Sequence, residues 1–564
     1  MQETPARTEP TQRVRIVAIT HAPRSYHPPE TSARTPDPIA SDANSGEAAS
    51  AIPGELNLQM ALSLHIRGEF AGAEAIYRQL LRQEPKQPDY QHLLGLVLHQ
   101  TGRPKEAEIL LREALEGQPD AAEFHNSLGA VLISLERLDE ASAAFESALK
   151  IEPGLSDAHY NLGYIDHSMA RVREALGRYK HALDCNPAHV PATINWGTIL
   201  MDQDHPNEAG FLFQRALQYE PGSLPALKSL ARVYRAKESL RTSAKLLRQA
   251  LEIAPDDAHI HCELALTLLL DENFIEGFEE YEWHSRALGT PPRSFAQDRW
   301  DGRRFEGKTV LLHGIQEPAE AIQFIRYTGL VAARGGRVVL ECAPALKRLF
   351  KTIPGISAVA ATGEALPDFD FHIPIEALPR LFRTTAETIP SAIPYLSATK
   401  GQTLPLQSES ISKFRIGIVW RARLSSSDHA VKNFPLPYLL QLAAGPGIAL
   451  VSLQIGASTE EQELLADHHV IHIGEHLGDY ADTATAISDL DLIISVESPE
   501  AHLAGALAHP VWLLLGSAPD WRWPKQTANP SPWYPEMRVF RQDHPGDWSG
   551  IAGLLREAIA AGPG

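Results

Sequence analysis

The sequence predicts two regions of different fold class: an all-α superhelix of repeated helix pairs, followed by an α/β domain with two lobes. Two observations support this prediction. Unbroken runs of Val, Ile and Leu are confined to the second half of the chain, where helical segments separate them, as in parallel sheets covered on both faces. In the first half, prolines recur every 34 residues, a spacing typical of stacked helix pairs, at Pro85, Pro119, Pro153, Pro187, Pro221 and Pro255.

Length and composition narrow the function classes. The 564 residues exceed what one hydrophobic core organises, so several domains are expected. A formal net charge of −19 argues against nucleic acid as a partner, because sequence-independent binding to a phosphate backbone requires clustered Lys and Arg. The three cysteines form no CxxC pair and are expected to be reduced thiols. We find no 18-residue apolar stretch and no apolar leader, so we expect no membrane span, no secretion and a cytoplasmic location.

The first 52 residues differ in composition from the rest of the chain. They are rich in Pro, Ser, Thr and Glu, and their one apolar clump is the segment from Val14 to Ile19. Such a composition buries too little surface to offset the entropy of ordering the chain. Residues 1 to 52 are therefore predicted to be a disordered tail.

Residues 54 to 287 carry the repeat. Alanines recur at one position, namely Ala73, Ala107, Ala141, Ala175 and Ala209. Four residues later a bulky side chain recurs, at Tyr77, Leu111, Phe145, Tyr179 and Phe213. Small residues permit close helix crossing, and the bulky ones fill the gap between neighbouring pairs. This pattern resembles the tetratricopeptide repeat family, with about six and a half repeats.

A stack of such repeats forms a superhelix whose concave face commonly holds a peptide or an extended segment of a partner protein. Asn126, Asn161 and Asn195 recur on successive first helices. One interpretation is an amide ladder that hydrogen-bonds the backbone of a partner, because amides donate and accept. The alternative is that these are ordinary solvated polar positions.

The second half is predicted to contain two α/β lobes. Residues 288 to 307 are expected to be a linker, residues 308 to 395 the first lobe, and residues 413 to 564 the second. The predicted strands are TVLLH, RVVLEC and DFHI in the first lobe and RIGIVW, IALVSLQ, VIHI, LDLIISV and VWLLL in the second. Two such lobes would leave a cleft at the carboxyl ends of their strands.

The stretch from Leu490 to Leu515 predicts strand, turn, helix and strand. Ser498 is suited to cap the helix and Pro499 to occupy its first position. Free N–H groups and the positive end of the helix dipole meet at such a helix start, which is a usual place for a phosphate. An ordinary crossover with a good cap is the alternative.

Several segments in order carry a resemblance to a family: WDGRRFEGKTVLLHG, AIQFIRYTGLVAARGGRVVLEC, FRIGIVW, VSLQIG, DYADTATAISDLDLIISVESPEAHLAGALAHPVW and APDWRW with SPWYP. Over residues 295 to 550 the chain resembles bacterial proteins that join tetratricopeptide repeats to a heptosyltransferase-like glycosyltransferase. Its architecture is also similar to that of protein O-linked N-acetylglucosamine transferases. The resemblance implies a two-lobed, Rossmann-like glycosyltransferase-B domain.

The resemblance also implies a nucleotide diphosphate sugar as donor, held by the second lobe without a metal or other cofactor. The candidates for donor binding are Glu497, Ser498 and His502 at the helix start, and Lys432 in VKNFPL, which is similar to a lysine segment of the family. Arg421 is expected either to pair with phosphate or to bridge Glu317 or Asp428.

The catalytic candidate is Glu320. Relatives carry a glycine-rich loop that ends in an aspartate thought to activate the acceptor hydroxyl, and alignment on IQFIRY places Glu320 there. This sequence departs from the family at Glu317, Pro318 and Ala319, which replace the glycine-rich loop, and at Pro499 and Glu500.

Two functions follow from these features. The first is a glycosyltransferase-like protein whose repeats recruit a protein acceptor. The alternative is a non-catalytic interaction scaffold with a degenerate transferase domain. No metal site is expected, because strand alternation would scatter His468, His469, His472 and His476.

Overall fold

The computed structural model describes residues 58–289, 293–314, 317–398, 414–422, 433–444, 447–518, 520–524 and 531–562. The tail predicted for residues 1 to 52 lies outside these ranges. The chain divides into two compact units, Met1–Ser223 and Leu224–Gly564. The boundary between the units falls within the repeats rather than at the predicted end of the repeats near residue 287.

The described part of the first unit consists of helix pairs joined by tight turns. Its helices are α1 (Leu58–Ile66), α2 (Phe70–Gln83), α3 (Pro88–Gln100), α4 (Pro104–Gly117), α5 (Ala122–Ser134), α6 (Leu138–Ile151), α7 (Ser156–Ser168), α8 (Val172–Cys185), α9 (Val190–Asp202) and α10 (Pro206–Tyr219). The predicted helix-pair repeat is confirmed.

Close packing inside the pairs depends on a small residue, which is glycine in four of them. A Cβ atom at Gly129 would lie 2.5 Å from the ring of Phe145, and one at Gly197 would lie 2.6 Å from the ring of Phe213. The repeated alanines are completely buried, as Ala141 is. Small residues therefore let the bulky residue of the second helix lie against the backbone of the first, as the spacing predicts.

The second unit begins with further helices of the repeat pattern. These are α11 (Leu224–Ala236), α12 (Leu240–Ile253), α13 (Ala258–Leu270), α14 (Phe274–Tyr281) and α15 (His284–Ala287). They continue the 34-residue spacing of the first unit.

The first lobe contains an all-parallel sheet with strand order β1-β5-β2-β3-β4. Its strands are β1 (Asp298–Arg299), β2 (Thr309–His313), β3 (Arg337–Cys342), β4 (Ile356–Ala361) and β5 (Phe371–Pro374). Its α-helices are α16 (Pro318–Phe324), α17 (Thr328–Ala332), α18 (Lys347–Phe350) and α19 (Leu378–Leu381). Part of the predicted linker thus belongs to the fold, because β1 pairs with β5 and Trp300 is buried.

The second lobe contains an all-parallel sheet with strand order β11-β10-β9-β6-β7-β8. Its strands are β6 (Phe414–Val419), β7 (Ile448–Ser452), β8 (Ile471–His472), β9 (Leu492–Val496), β10 (Val511–Leu515) and β11 (Arg538–Arg541). Its α-helices are α20 (Leu436–Leu440), α21 (Thr459–Asp467), α22 (Tyr480–Ser488), α23 (Pro499–Ala506) and α24 (Ser549–Ala560). The eight predicted strands are present, whereas β1, β4 and β11 were not predicted.

One apolar core joins the last helix pair to both lobes. The ring of Phe278 lies 6.4 Å from that of Phe324 in the first lobe and 5.9 Å from that of Trp521 in the second, measured between centroids. Trp533 also contacts Phe278. No helix among the described residues is long and apolar enough to cross a membrane.

Candidate functional site

The candidate site lies where the carboxyl ends of the strands in the two lobes face each other. Helix α16 follows β2 in the first lobe and packs directly against α23, which follows β9 in the second. The backbone N–H groups of Tyr395 and Leu396 donate to the carbonyl oxygen of Ala506 at the end of α23. The helices that carry Glu320 and the predicted donor-binding residue His502 are therefore in direct contact.

Glu320 lies in the first turn of α16 and is the centre of this cluster. Its Oε1 accepts hydrogen bonds from the Tyr281 hydroxyl at 2.6 Å and from Arg522 Nη2 at 3.1 Å. The Nε2 atom of His284 lies 3.6 Å from the same oxygen. The predicted catalytic carboxylate is thus held by the second lobe on one side and by the last helix pair on the other.

Arg522 is a member of the site that sequence reasoning missed. Its side chain is 11% exposed, its Nε donates to Gln323 Oε1 at 2.7 Å, and its guanidinium lies 4.3 Å from the centroid of the Trp521 ring. Burial opposes its charge, but neighbouring Asp520, Glu320 and other anionic groups hold its pKa above the usual range. In the sequence, the position of Arg522 between two tryptophans in APDWRW could have indicated a buried arginine.

The start of α23 is occupied by side chains of the protein itself. Ser498 caps the helix as predicted, with its Oγ accepting from the N–H of Ala501 at 3.2 Å, and Pro499 occupies the first helical position. The indole N–H of Trp523 donates to Glu497 Oε1 at 3.1 Å. Glu500 is buried in the first turn. Two carboxylates therefore lie where the sequence predicts a diphosphate.

His502 is buried one turn further along α23. Its Nδ1 lies 3.0 Å from the hydroxyl of Tyr534. Burial holds the pKa of His502 well below its usual range, and the nearby cations Arg522 and Arg326 act in the same direction. A neutral, buried histidine does not supply positive charge for a phosphate.

Arg421 follows β6 and contacts residues outside this cluster. Its Nη2 donates to the carbonyl oxygen of Gly456 at 2.7 Å and lies 3.1 Å from Glu461 Oε2. It thus pairs with a carboxylate other than the two named in the sequence-based alternative. Lys432 and Asp428 lie outside the described residues.

Glu376 is a second carboxyl group that sequence reasoning missed. It follows β5, its Oε1 accepts from the Ser285 hydroxyl at 2.8 Å, and its Oε2 has no hydrogen-bond partner among the described residues. Burial raises the pKa of Glu376, and the nearby carboxylates of Glu320 and Glu282 act in the same direction. Among all the residues that the structure describes, no group of three or more His, Cys, Asp or Glu side chains is arranged to hold a metal ion.

The predicted amide ladder on the repeats lies between neighbouring helices. The Nδ2 of Asn161 donates to Oδ1 of Asn126 at 3.3 Å, and both side chains are buried. Asn195 is half-buried and donates to the hydroxyl of Tyr179 at 3.4 Å. The same 35-residue step joins His92 to Ser127 at 2.9 Å. These contacts connect one repeat to the next, and the predicted role in partner binding stays a prediction.

Surface grooves recur along the repeats. One groove is lined in part by Leu94, Leu98 and Ile109, and another by Trp196, Leu200 and Phe211, three repeats further on. Ile109 and Phe211 occupy equivalent positions and are 60% and 66% exposed. The repeat stack therefore presents an exposed apolar side chain at the same position of two repeats.

Comparison with known proteins identifies the repeats. Family models of the tetratricopeptide repeat match residues 64–131, 200–268 and 110–156. A curated relative is protein FlbA of Caulobacter vibrioides, which is 25% identical over 337 residues. The match covers 54% of this chain and 56% of FlbA, so the chain spans about half the length of that relative.

Solved structures also match part of the chain. That of pilF from Pseudomonas aeruginosa is 21% identical, with a TM-score of 0.32, and the match covers 36% of this chain and 92% of that one. The Cut9–Hcn1 hetero-tetramer of the APC/C is 15% identical, with a TM-score of 0.38, and covers 43% of this chain and 48% of that one. The repeated helix pairs of this chain are tetratricopeptide repeats, modules that mediate protein–protein interaction.

Proposed function

We propose that the repeats bind a protein partner and that the two-lobed region transfers a sugar from a nucleotide diphosphate donor to that partner. The observation that carries the proposal is the contact across the lobes between Glu320 and Arg522, at the carboxyl ends of two parallel sheets. A carboxylate and a buried guanidinium are the two groups that such a transfer needs, one for the acceptor proton and one for the leaving phosphate.

The strand order supports a Rossmann-like second lobe of the glycosyltransferase-B type. In the sheet β11-β10-β9-β6-β7-β8 the direction of winding reverses between β6 and β9. In doubly wound α/β folds, ligands bind outside the carboxyl ends of the strands at such a reversal. Glu497 and Arg421 both follow strands that meet at this point.

A mechanism follows from the Glu320–Arg522 pair. The donor diphosphate would take over the N–H groups of Arg522, and the released Glu320 would accept the proton of the acceptor hydroxyl. The acceptor oxygen then bonds to the anomeric carbon, while the bond from that carbon to the diphosphate oxygen breaks and leaves its electron pair on the diphosphate. Arg522 offsets this charge in a site from which water is largely excluded.

The surface grooves of the repeats support partner binding. Ile109 and Phe211 occupy the same position in two repeats, and both are exposed apolar side chains that can anchor a partner. Each groove also contains a glutamate, Glu106 in one and Glu208 in the other. Apolar anchors with a polar rim are the usual composition of a protein-binding surface. We therefore propose an extended protein segment as the partner of the repeats.

Calorimetry with UDP, GDP, ADP and CDP tests the donor site. We expect at least one nucleotide to bind the wild-type chain, and Arg522→Ala and Lys432→Ala each to weaken binding about tenfold or more, because a charge-assisted contact is lost. Arg348→Ala is the matched control, since it removes an exposed arginine that pairs with Asp479 and Asp482. Absence of binding of all four nucleotides to the wild type would overturn the donor site.

The second candidate is a non-catalytic scaffold, and the filled start of α23 favours it. Glu497 and Glu500 place negative charge where a diphosphate would bind, and the Ser498 hydroxyl is engaged in the cap. Complementation of a strain that lacks the gene separates the two functions. Restoration by a Glu320→Gln chain as complete as that by the wild type would support the scaffold and contradict catalysis.

A further inference from the structure

The last helices of the repeats contact the candidate site directly. Tyr281 ends α14 and His284 begins α15, and both side chains approach Glu320. Ser285, the next residue, donates to Glu376. These helices therefore contact both Glu320 and Glu376.

Tyr281 occupies the bulky position of the repeat. The equivalent residues are Tyr77, Leu111, Phe145, Tyr179, Phe213 and Leu247. Since Phe and Leu occur at this position, the packing of a repeat does not require the hydroxyl group. The hydroxyl of Tyr281 nevertheless donates to Glu320 at 2.6 Å from a fully buried ring. Burial, together with the adjacent carboxylate of Glu320, raises the pKa of Tyr281 well above its usual range, so the hydroxyl remains a donor.

His284 occupies a position that holds alanine in five other repeats and leucine in the first. The equivalent residues are Leu80, Ala114, Ala148, Ala182, Ala216 and Ala250. The imidazole of His284 stacks on the ring of Tyr281, with centroids 4.8 Å apart and an angle of 11° between the planes. Its Nε2 faces Glu320, and its Nδ1 lies 3.4 Å from the Sγ of Cys262. The larger side chain thus fills the space between the repeat and the carboxylate.

We propose that the last repeat is part of the transfer site, with Tyr281 and His284 as positioning residues that hold Glu320 towards the acceptor. This inference rests on the proposed transferase function. Arg522 fixes Glu320 from the second lobe, and Tyr281 and His284 fix it from the opposite side. When a donor phosphate binds Arg522, Glu320 loses that contact. Tyr281 and His284 then continue to orient the base.

The experiment measures release of nucleotide from UDP-glucose, UDP-N-acetylglucosamine, GDP-mannose and ADP-glucose, with water as acceptor and the full chain as enzyme. We expect Tyr281→Phe to lower kcat about tenfold or more and to leave KM for the donor unchanged, because misplacing a reacting group acts on the chemical step. His284→Ala, which restores the common repeat residue, should act in the same direction. Tyr77→Phe is the matched control and should keep wild-type kcat, since Tyr77 lies in the first repeat.

A double variant separates positioning from a general structural role. If Tyr281 acts through Glu320, Tyr281→Phe combined with Glu320→Gln has the same residual kcat as Glu320→Gln alone. Wild-type kcat in Tyr281→Phe, or a further tenfold fall in the double variant, would overturn the inference. If the wild type releases nucleotide from none of the four donors, the proposed function fails and this inference with it.

Discussion

At the scale of single residues, one repeat position has a backbone conformation that few side chains favour. The turn between the two helices of each repeat contains a residue with a φ angle between 57° and 78°, at Gly68, Gly102, Glu136, Ala170, Asp204, Glu238 and Glu272. Glycine adopts this left-handed conformation without steric cost, whereas a residue with a Cβ atom is strained there. The first two repeats have glycine and the others do not.

Substitution at this turn changes stability in opposite directions in two repeats. We expect Ala170→Gly to raise, and Gly102→Ala to lower, the free energy of unfolding by about 1 kcal/mol each, because the change in backbone strain outweighs the opposing change in the conformational entropy of the unfolded chain. A Cβ atom at Gly102 would meet no atom within 4 Å, so no clash contributes. Native-state hydrogen exchange over α3–α4 and α7–α8 measures both effects. The same sign for the two variants would contradict the explanation.

His92, whose side chain is hydrogen-bonded to Ser127 of the next repeat, is expected to make the chain less stable in acid. Burial of His92, with a smaller contribution from His65, lowers the pKa of His92 to about 4. Above pH 6.5 the side chain is neutral in both the folded and the unfolded chain. Between pH 6.5 and 4 only the unfolded chain takes up a proton, so the free energy of unfolding falls as the pH falls, by about 3 kcal/mol in total.

The variant His92→Asn should remove this part of the pH dependence. Asparagine is the residue of the next repeat at this position, Asn126, so the ladder to Ser127 can be kept. Urea unfolding at pH 7 and pH 4.5 measures the change. We expect the variant to lose less stability than the wild type between these two values, and an equal loss in both would contradict the prediction.

At the scale of elements, α23 shows what the sequence could and could not predict. The strand β9, the cap at Ser498 and the proline at the first helical position follow from local patterns, and the structure confirms them. The contact of Trp523 with Glu497 could not be predicted, because it joins residues that are distant in sequence. Local patterns therefore located the helix start correctly, but they did not indicate that the protein itself occupies it.

The cap of α23 is predicted to support stability rather than nucleotide binding. Ser498→Ala removes the acceptor of the Ala501 N–H in a buried environment, so we expect the free energy of unfolding to fall by about 1–2 kcal/mol. Ser458→Ala is the control, because Ser458 caps α21 at an exposed position where water can replace it. Urea unfolding gives the stabilities, and calorimetry with the four nucleotides gives the binding. Loss of binding in Ser498→Ala without loss of stability would contradict the structural role.

At the scale of the whole molecule, periodicity and packing divide the chain at different places. The 34-residue spacing continues through Pro221 to Pro255 and predicts one helical domain. The boundary between the compact units lies instead after Ser223, because the last helices share a core with the lobes. A repeat pattern indicates which residues pack inside each helix pair. It does not indicate which side chains of another domain cover the outer face of the last pair. The convergence of Glu320, Arg522 and Tyr281 was not predicted for the same reason.

Fragments of the chain test this division. A chain of residues 288 to 564 lacks Phe274, Phe278 and Tyr281, which cover the buried rings of Phe324, Trp521 and Trp533. We expect this fragment to aggregate or to bind a hydrophobic dye, because several aromatic side chains lose their apolar contacts at about 25 cal/mol per Å² of surface exposed. Residues 224 to 564 should give a monomer with near-UV circular dichroism of ordered tryptophans.

The control fragment is residues 58 to 223, which should fold on its own because repeats contact chiefly their neighbours. Gel filtration and near-UV circular dichroism of the three fragments measure the outcome. A monomeric 288–564 fragment with the same near-UV spectrum as 224–564 would show that the last helices are not needed by the lobes. The contacts of Phe278 with both lobes predict the opposite, because its ring lies within 6.4 Å of Phe324, Trp521 and Trp533, measured between centroids.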